Sequence, residues 1–249
     1  MKIAAIIPAR YDSSRFPGKP LADIGGMSMI NRVYNQVVKI FPNVYVATDD
    51  DRIFDEVRRF GGVAIMTSKD HMNGTSRVLE AMYAIEKETG EEFETVVNIQ
   101  GDEPFIEPEQ LTELLSGFDD PDAEIATLIK KFGDEEDICN PNTPKVVIDK
   151  NMYALYFSRS PIPYIRGCDK REDWNKSGRF YKHIGLYAYR RSALIKICNL
   201  QPSDLELAES LEQLRWLESG LAIKVSETSY DSYAVDTPDD IANIFLYLQ

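Results

Sequence analysis

This sequence predicts a Rossmann-like, doubly wound α/β domain with a mostly parallel sheet and a small antiparallel extension. Two observations point there. From Ile3 to Ile99, short apolar runs alternate with amphipathic helical stripes, the strand and helix rhythm of a parallel sheet. From Ala123 that rhythm gives way to strands with little helix between them, so about 125–190 reads as an antiparallel extension or a dimer-forming part. The 249 residues suffice for one such domain.

Ile3-Ala4-Ala5-Ile6-Ile7 is a wholly apolar run closed by Pro8, as expected of a strand buried on both faces. Arg10 to Leu21, with Ser13, Ser14, Pro17 and Gly18, reads as an irregular loop. Ile30, Val33, Tyr34, Val37, Val38 and Phe41 recur at helical spacing and mark an amphipathic helix. A strand over Asn43–Thr48 follows, ending in Asp49-Asp50-Asp51. Next come a helix through Ile53, Phe54, Val57 and Phe60, closed by Gly61-Gly62, and a strand over Val63–Met66.

Asn73-Gly74-Thr75-Ser76-Arg77 opens a helix carried by Val78, Leu79, Met82, Tyr83 and Ile85. The strand Thr95–Ile99 stops abruptly at Gln100-Gly101-Asp102-Glu103-Pro104. Further strands are expected at Ile125–Lys131, Lys145–Ile148, Ala154–Ser158 and Tyr181–Arg190, with a charged, Gly-containing surface loop over Arg166–Arg179. Alternation puts Tyr181, His183, Gly185, Tyr187 and Tyr189 on one strand face, which fits packing and a sugar site equally well. Ser203 and Glu206 form a capping box for one helix running through Leu207, Leu211, Leu214 and Leu217 to Gly220. After a strand over Ala222–Glu227, Thr237 as N-cap and Pro238 at the first position start the closing helix.

The net charge of −13 opposes nucleic acid and anionic membranes as partners. Screening confines exposed charges to roughly 8 Å, so a local basic loop can still collect a small anion. Cys139, Cys168 and Cys198 lie far apart and only two His are present, which argues against a zinc site or disulfide framework and fits a reducing cytosol. With no charged and apolar leader and no long apolar run, the expectation is a soluble, cytoplasmic protein.

The chemistry concentrates in two places. Arg10, Arg15 and Lys19 fall close together in the first loop, where a guanidinium fork, an ammonium and free backbone amides can face one polyanion. The other reading of this stretch is a solvated basic turn. Asp102 and Asp236 each follow an apolar strand, with Pro two residues later. Singly, each reads as a turn residue or N-cap as readily as a ligand. Together, meeting at the carboxyl edge of the sheet opposite the basic loop, they would suit Mg²⁺, which takes few protein oxygens and lets phosphates complete its shell. A Walker loop is absent, since Ser13 stands where its first Gly is needed and Pro20 follows Lys19, and no Gly-x-Gly-x-x-Gly follows the first strand.

Ile7-Pro8-Ala9-Arg10-Tyr11, Arg15-Phe16-Pro17-Gly18-Lys19-Pro20-Leu21, Val46-Ala47-Thr48-Asp49 and Asn98-Ile99-Gln100-Gly101-Asp102-Glu103-Pro104 recur in order with Asn140-Pro141-Asn142 and Ala154-Leu155-Tyr156-Phe157-Ser158-Arg159. His183-Ile184-Gly185-Leu186-Tyr187, Leu211-Glu212-Gln213-Leu214-Arg215 and Val235-Asp236-Thr237-Pro238 complete the set. Over nearly its whole length the chain resembles the CMP-Kdo synthetases, the 3-deoxy-manno-octulosonate cytidylyltransferases. The resemblance implies a fold of the nucleotide-diphospho-sugar transferase type, its extension serving sugar binding and dimerisation. It also implies attack of the anomeric hydroxyl of Kdo on the α-phosphorus of CTP, with loss of pyrophosphate. The enzyme would be a Mg²⁺-dependent cytoplasmic homodimer serving lipopolysaccharide synthesis.

By the same resemblance Pro8, Ala9, Arg10, Arg15, Lys19 and Gln100 contact the nucleotide, and Asp102 and Asp236 hold the metal. Lys19, Arg10, Asp102 and Asp236 are thereby the catalytic set. Arg77, Gln100, Arg159, His183, Tyr187, Glu212 and Gln213 form the sugar pocket, in which His183 either binds a hydroxyl or serves as general base. The family usually carries an acidic residue where Ser76 stands, and its loss would free Arg77 for an acidic sugar or change which sugar is preferred. Two rival functions follow: a cytidylyltransferase for another acidic sugar, such as 8-amino-Kdo or a sialic-type acid, and a module that binds CTP without turnover.

Overall fold

The computed structural model describes residues 2–12, 15–168, 173–178 and 180–244. Ser13, Ser14 and parts of the expected Arg166–Arg179 loop (169–172 and 179) lie outside the described residues. In chain order the elements are β1 (Ile3–Ala9), α1 (Met29–Val37), β2 (Val44–Thr48), α2 (Asp51–Arg59), β3 (Ala64–Met66), α3 (Gly74–Thr89), β4 (Thr95–Asn98) and α4 (Pro108–Ser116). They continue with β5 (Ile125–Lys131), β6 (Lys145–Ile148), β7 (Ala154–Ser158), β8 (Tyr181–Arg190), α5 (Arg191–Cys198), α6 (Asp204–Glu209), α7 (Gln213–Glu218), β9 (Ile223–Glu227) and α8 (Pro238–Ile244).

The chain forms two compact units, one of residues 1–112, 188–198 and 232–249 and one of residues 113–187 and 199–231. The first contains the parallel sheet. β1 pairs in parallel with β2 on one side and β4 on the other, and β2 pairs in parallel with β3. A strand so flanked, with helices above and below, has no wet face, and Ala4, Ala5, Ile6 and Ile7 are fully buried. Because these strands point the same way, the chain leaves Ala9, Thr48, Met66 and Asn98 at one edge, and the loops there collect the polar motifs.

Two side-chain caps set the helix starts at that edge. Asp50 accepts from the Arg52 amide at the start of α2, and Asn73 accepts from the Ser76 amide at the start of α3. At the start of α8, Thr237 is itself bound by Asp240, whose Oδ2 accepts the amides of Asp236 and Thr237 and the Thr237 hydroxyl. Ile24, Met29 and Val235 form a buried cluster with Phe16, Ala22, Phe105 and Ile241 packed on it. This apolar plug fastens the segment before α8 to the loop after β1.

In the second unit β5 pairs in parallel with β9, while β6 pairs antiparallel with both β7 and β8. This unit is discontinuous in sequence. The single helix expected from Ser203 to Gly220 is two helices instead. The capping box of Ser203 and Glu206 is present, but Ser210 turns left-handed at φ 51° and α6 ends there. Arg159 fixes the break by donating to the carbonyls of Glu209 and Ser210, and Leu207 is exposed rather than part of a core stripe. Helices α4 and α5, which the periodicity did not flag, complete the elements. Among the described residues no helix is long and apolar enough to cross a membrane.

Candidate active site

At the carboxyl edge of the parallel sheet lies a cavity of about 320 Å³, built wholly from the first unit. Pro8, Ala9, Arg10, Arg15, Lys19 and Pro20 line it from β1 and the loop beyond. His71, Asn73, Gly74 and Arg77 come from the approach to α3 and its first turn, Gln100, Gly101 and Asp102 from the loop after β4, and Asp236 from the segment before α8.

Local geometry brings these groups together. Gly18 is left-handed at φ 73°, its amide donates to the Tyr11 carbonyl at 2.8 Å, and the 3-10 turn Lys19–Leu21 follows, a regular turn where only irregular loop was expected. Gly101 lies so close to β1 that a Cβ would stand 2.9 Å from the Pro8 carbonyl oxygen. The amide of Val235 donates to the Asp102 carbonyl at 2.9 Å, which sets Asp236 beside Asp102.

Lys19 Nζ is 2.7 Å from Asp102 Oδ2 and 3.3 Å from Asp236 Oδ1, and Arg15 adds a second cation 3.1 Å from Asp236 Oδ1. Two carboxylates from distant parts of the chain thus share one cation, which offsets the roughly 4 kcal/mol by which like charges 4 Å apart repel at an effective dielectric of 20. Lys19 is largely covered, whereas Arg10 and Arg15 reach solvent at the mouth. Among the described residues no three His, Cys, Asp or Glu side chains gather as a metal cage. A pair of carboxylates whose oxygens already converge on one cation is nevertheless a donor set that fits Mg²⁺, which retains waters and phosphate oxygens for the rest of its shell.

Arg77 is in the cavity wall, but Ser76 does not free it. Its guanidinium donates to Asp49 Oδ2 and Thr67 Oγ1, both at 2.6 Å, and to the Ser68 carbonyl at 3.3 Å. The expectation that losing an acidic neighbour releases Arg77 is corrected: Asp49, delivered by β2, is its counter-ion, and Ser76 instead faces His71. His71, Asn73 and Gly74 line the cavity without having been singled out as binding residues. The only sequence signal for them was the loop and helix start at Asn73-Gly74.

The other expected sugar residues belong to the second unit. Arg159 spends its guanidinium on three carbonyls, those of Pro141, Glu209 and Ser210. His183 packs between the rings of Phe157 and Tyr187, with centroids at 5.0 and 5.3 Å, and its Nε2 is 3.0 Å from Thr127 Oγ1. Burial pushes its imidazole down to about 3, so it is neutral near pH 7 and a poor general base. Tyr187 meets Trp216 edge-on at 5.0 Å. Glu212 precedes α7 and pairs with Arg215 at 3.0 Å, and the buried Gln213 begins that helix.

The family model for cytidylyltransferases matches residues 4–225. The 3-deoxy-manno-octulosonate cytidylyltransferase of Parabacteroides distasonis is 54% identical over 252 residues, covering 100% of this chain and 98% of that protein. The protein of the same name from Bacteroides thetaiotaomicron is also 54% identical, covering 100% and 99%. Among solved structures, a CMP:2-keto-3-deoxy-manno-octonic acid synthetase complexed with CTP superposes with a TM-score of 0.89 at 42% identity, covering 100% of this chain and 98% of that one. A 4-diphosphocytidyl-2C-methyl-D-erythritol synthase from Anaerococcus prevotii shares the fold alone, at TM-score 0.60 and 17% identity. A full-length relation of this strength, on a chain whose basic loop and paired carboxylates meet in one cavity, makes the protein a member of the cytidylyltransferase family.

Proposed function

We propose that the protein transfers CMP from CTP to the anomeric hydroxyl of 3-deoxy-D-manno-octulosonate, forming CMP-Kdo for lipopolysaccharide synthesis. The observation that carries the reading is the meeting of Lys19, Asp102 and Asp236 in a cavity with Arg10 and Arg15, in a chain 42% identical to the CTP-complexed synthetase. The bond formed joins the sugar oxygen to the α-phosphorus. The bond broken is from that phosphorus to the oxygen of the departing pyrophosphate, and the hydroxyl proton passes to solvent water as the oxygen attacks.

Both reactants are anions, so the chain must supply positive charge before they can approach. Arg10, Arg15 and Lys19 draw the triphosphate in, and Lys19 steadies the charge that grows on pyrophosphate. Asp102 and Asp236 would hold Mg²⁺, which when bound neutralises phosphate charge and lowers the pKa of the attacking hydroxyl. Pro8, Ala9 and Gln100 frame the nucleotide. Arg77 stiffens the cavity wall through Asp49. Arg159, His183, Tyr187, Glu212 and Gln213 serve the sugar, with neutral His183 a hydrogen-bonding partner for a hydroxyl rather than the base. The working form is a cytoplasmic homodimer.

The test is pyrophosphate release from CTP and Mg²⁺ with Kdo present and absent, with 8-amino-Kdo and a sialic acid as rival acceptors. Release only with Kdo is expected. Release with a rival acid alone, or CTP binding with no release under any acceptor, overturns the reading.

A further inference from the structure

Glu80 lies one turn beyond Arg77 on α3 and reaches back to the loop that precedes the helix. Its two oxygens accept the Ser68 amide at 3.1 and 3.0 Å, and Oε2 also takes Nε2 of His71. A carboxylate can only accept, so that ring nitrogen carries the proton and donates. The opposite nitrogen, Nδ1, is 3.1 Å from Ser76 Oγ, which in turn reaches the Asn73 carbonyl at 3.2 Å.

The imidazole is therefore gripped from both sides, in the cavity wall beside Asn73 and Gly74. The loop it belongs to is irregular and exposes Met72 at 90%. Burial pushes the Glu80 carboxyl up, but the hydrogen bonds from His71 and the Ser68 amide outweigh it and leave the group below its usual range.

We propose that Glu80 is a positioning residue for the nucleotide: acting through His71 and the Ser68 amide, it fixes the segment from Ser68 to Gly74 as the wall against which CTP seats. The inference rests on reading this cavity as the CTP site. A wall ordered in advance lowers the cost of binding without touching the reacting atoms at Lys19, Asp102 and Asp236. Losing the anchor should therefore weaken CTP binding and spare the chemical step.

Steady-state kinetics of Glu80→Ala, His71→Ala and their double variant test this, with direct CTP titration of each. Glu80→Ala should raise KM for CTP roughly tenfold, the scale of one charge-assisted hydrogen bond, with kcat within about twofold. The double variant should be no worse than the poorer single one, because both act on one network. Glu80→Gln, which keeps an acceptor for the Ser68 amide, should recover part of KM. The comparator is Glu86→Ala, two turns along the same helix, which loses the ion pair to Arg191 and should lower the unfolding midpoint while leaving KM unchanged. An unchanged KM in Glu80→Ala beside a working wild type overturns the proposal alone, as does an equal rise in Glu86→Ala. A wild-type chain that neither binds nor turns over CTP overturns the reading of the cavity and this proposal together.

Discussion

Asp102 and Asp236 accept from a single ammonium, Lys19 Nζ at 2.7 and 3.3 Å, although one follows a strand of the parallel sheet and the other precedes α8. Their meeting has two causes in the chain. The Val235 amide is tied to the Asp102 carbonyl, and Val235 itself is buried with Ile24 and Met29, in a cluster on which Phe16 and Ala22, on either side of Lys19, also pack. Carboxylates held this close need a cation between them, so the charge balance of the trio has measurable consequences.

Asp102→Asn keeps the shape of the side chain and removes its charge, leaving an amide that is a poor ligand for a hard divalent ion. Pyrophosphate release should fall roughly 100-fold or more, with an unchanged circular dichroism spectrum. Near-normal release would remove Asp102 from the site.

Lys19→Ala should lower kcat/KM for CTP roughly 100-fold, whereas Lys39→Ala, whose exposed ammonium donates to Gln36 at the end of α1, should change it less than about twofold. Lys19→Ala also leaves two carboxylates facing one another without their shared cation. Its Tm should therefore rise more on adding Mg²⁺ than that of the wild type. Equal and small kinetic effects of the two substitutions would return the basic loop to a solvated turn.

Gly101→Ala tests the close approach after β4. The new Cβ would stand 2.9 Å from the Pro8 carbonyl oxygen and 3.5 Å from Ile7 Cγ2, and β1, paired on both sides, cannot retreat. The cost should be about 1–3 kcal/mol in urea unfolding, with a matching loss of turnover as Asp102 shifts. Unchanged stability and turnover would show that the loop yields.

The parallel sheet was legible because its strands are short apolar runs and its helices carry one apolar stripe, as at Val33 and Val37. The edge that bears the cavity was legible for the same reason, since strand ends are where Arg10, Gln100 and Asp102 fall. What escaped depended on contacts made by distant residues. The break at Ser210 is imposed by Arg159, and leucines at helical spacing hid it. Arg77 read as available because its partner Asp49 comes from another strand end, and no local pattern couples them. His71 gave no signal because its role depends on Glu80, on the following helix.

Ser76→Asp restores the acidic residue usual in the resembling family. In this fold it places a carboxylate near His71, whereas Arg77 is held by Asp49. The ratio of kcat/KM for Kdo to that for 8-amino-Kdo should therefore change less than about twofold, because the Asp49 pair that holds Arg77 is kept. A tenfold change in that ratio would show that position 76 acts on the sugar through Arg77 after all.

His183 gives the second unit an acid sensitivity with a definite sign. Burial lowers its imidazole from the ordinary 6.5 to about 3, so the folded unit refuses a proton that the unfolded chain accepts. Its contribution to stability is fully present above pH 6.5 and is lost as pH falls from there toward 3. The slope approaches one proton, about 1.4 kcal/mol per pH unit, so up to about 2 kcal/mol goes between pH 6.5 and 5. Carboxylates also contribute to acid unfolding, so the test is a difference: urea midpoints from pH 8 to pH 5 for the wild type and His183→Gln. The variant keeps a polar partner for Thr127 but cannot titrate, and its midpoint should fall less steeply over that range. Parallel curves for the two proteins would mean that the ring takes its proton within the folded unit at its ordinary pKa.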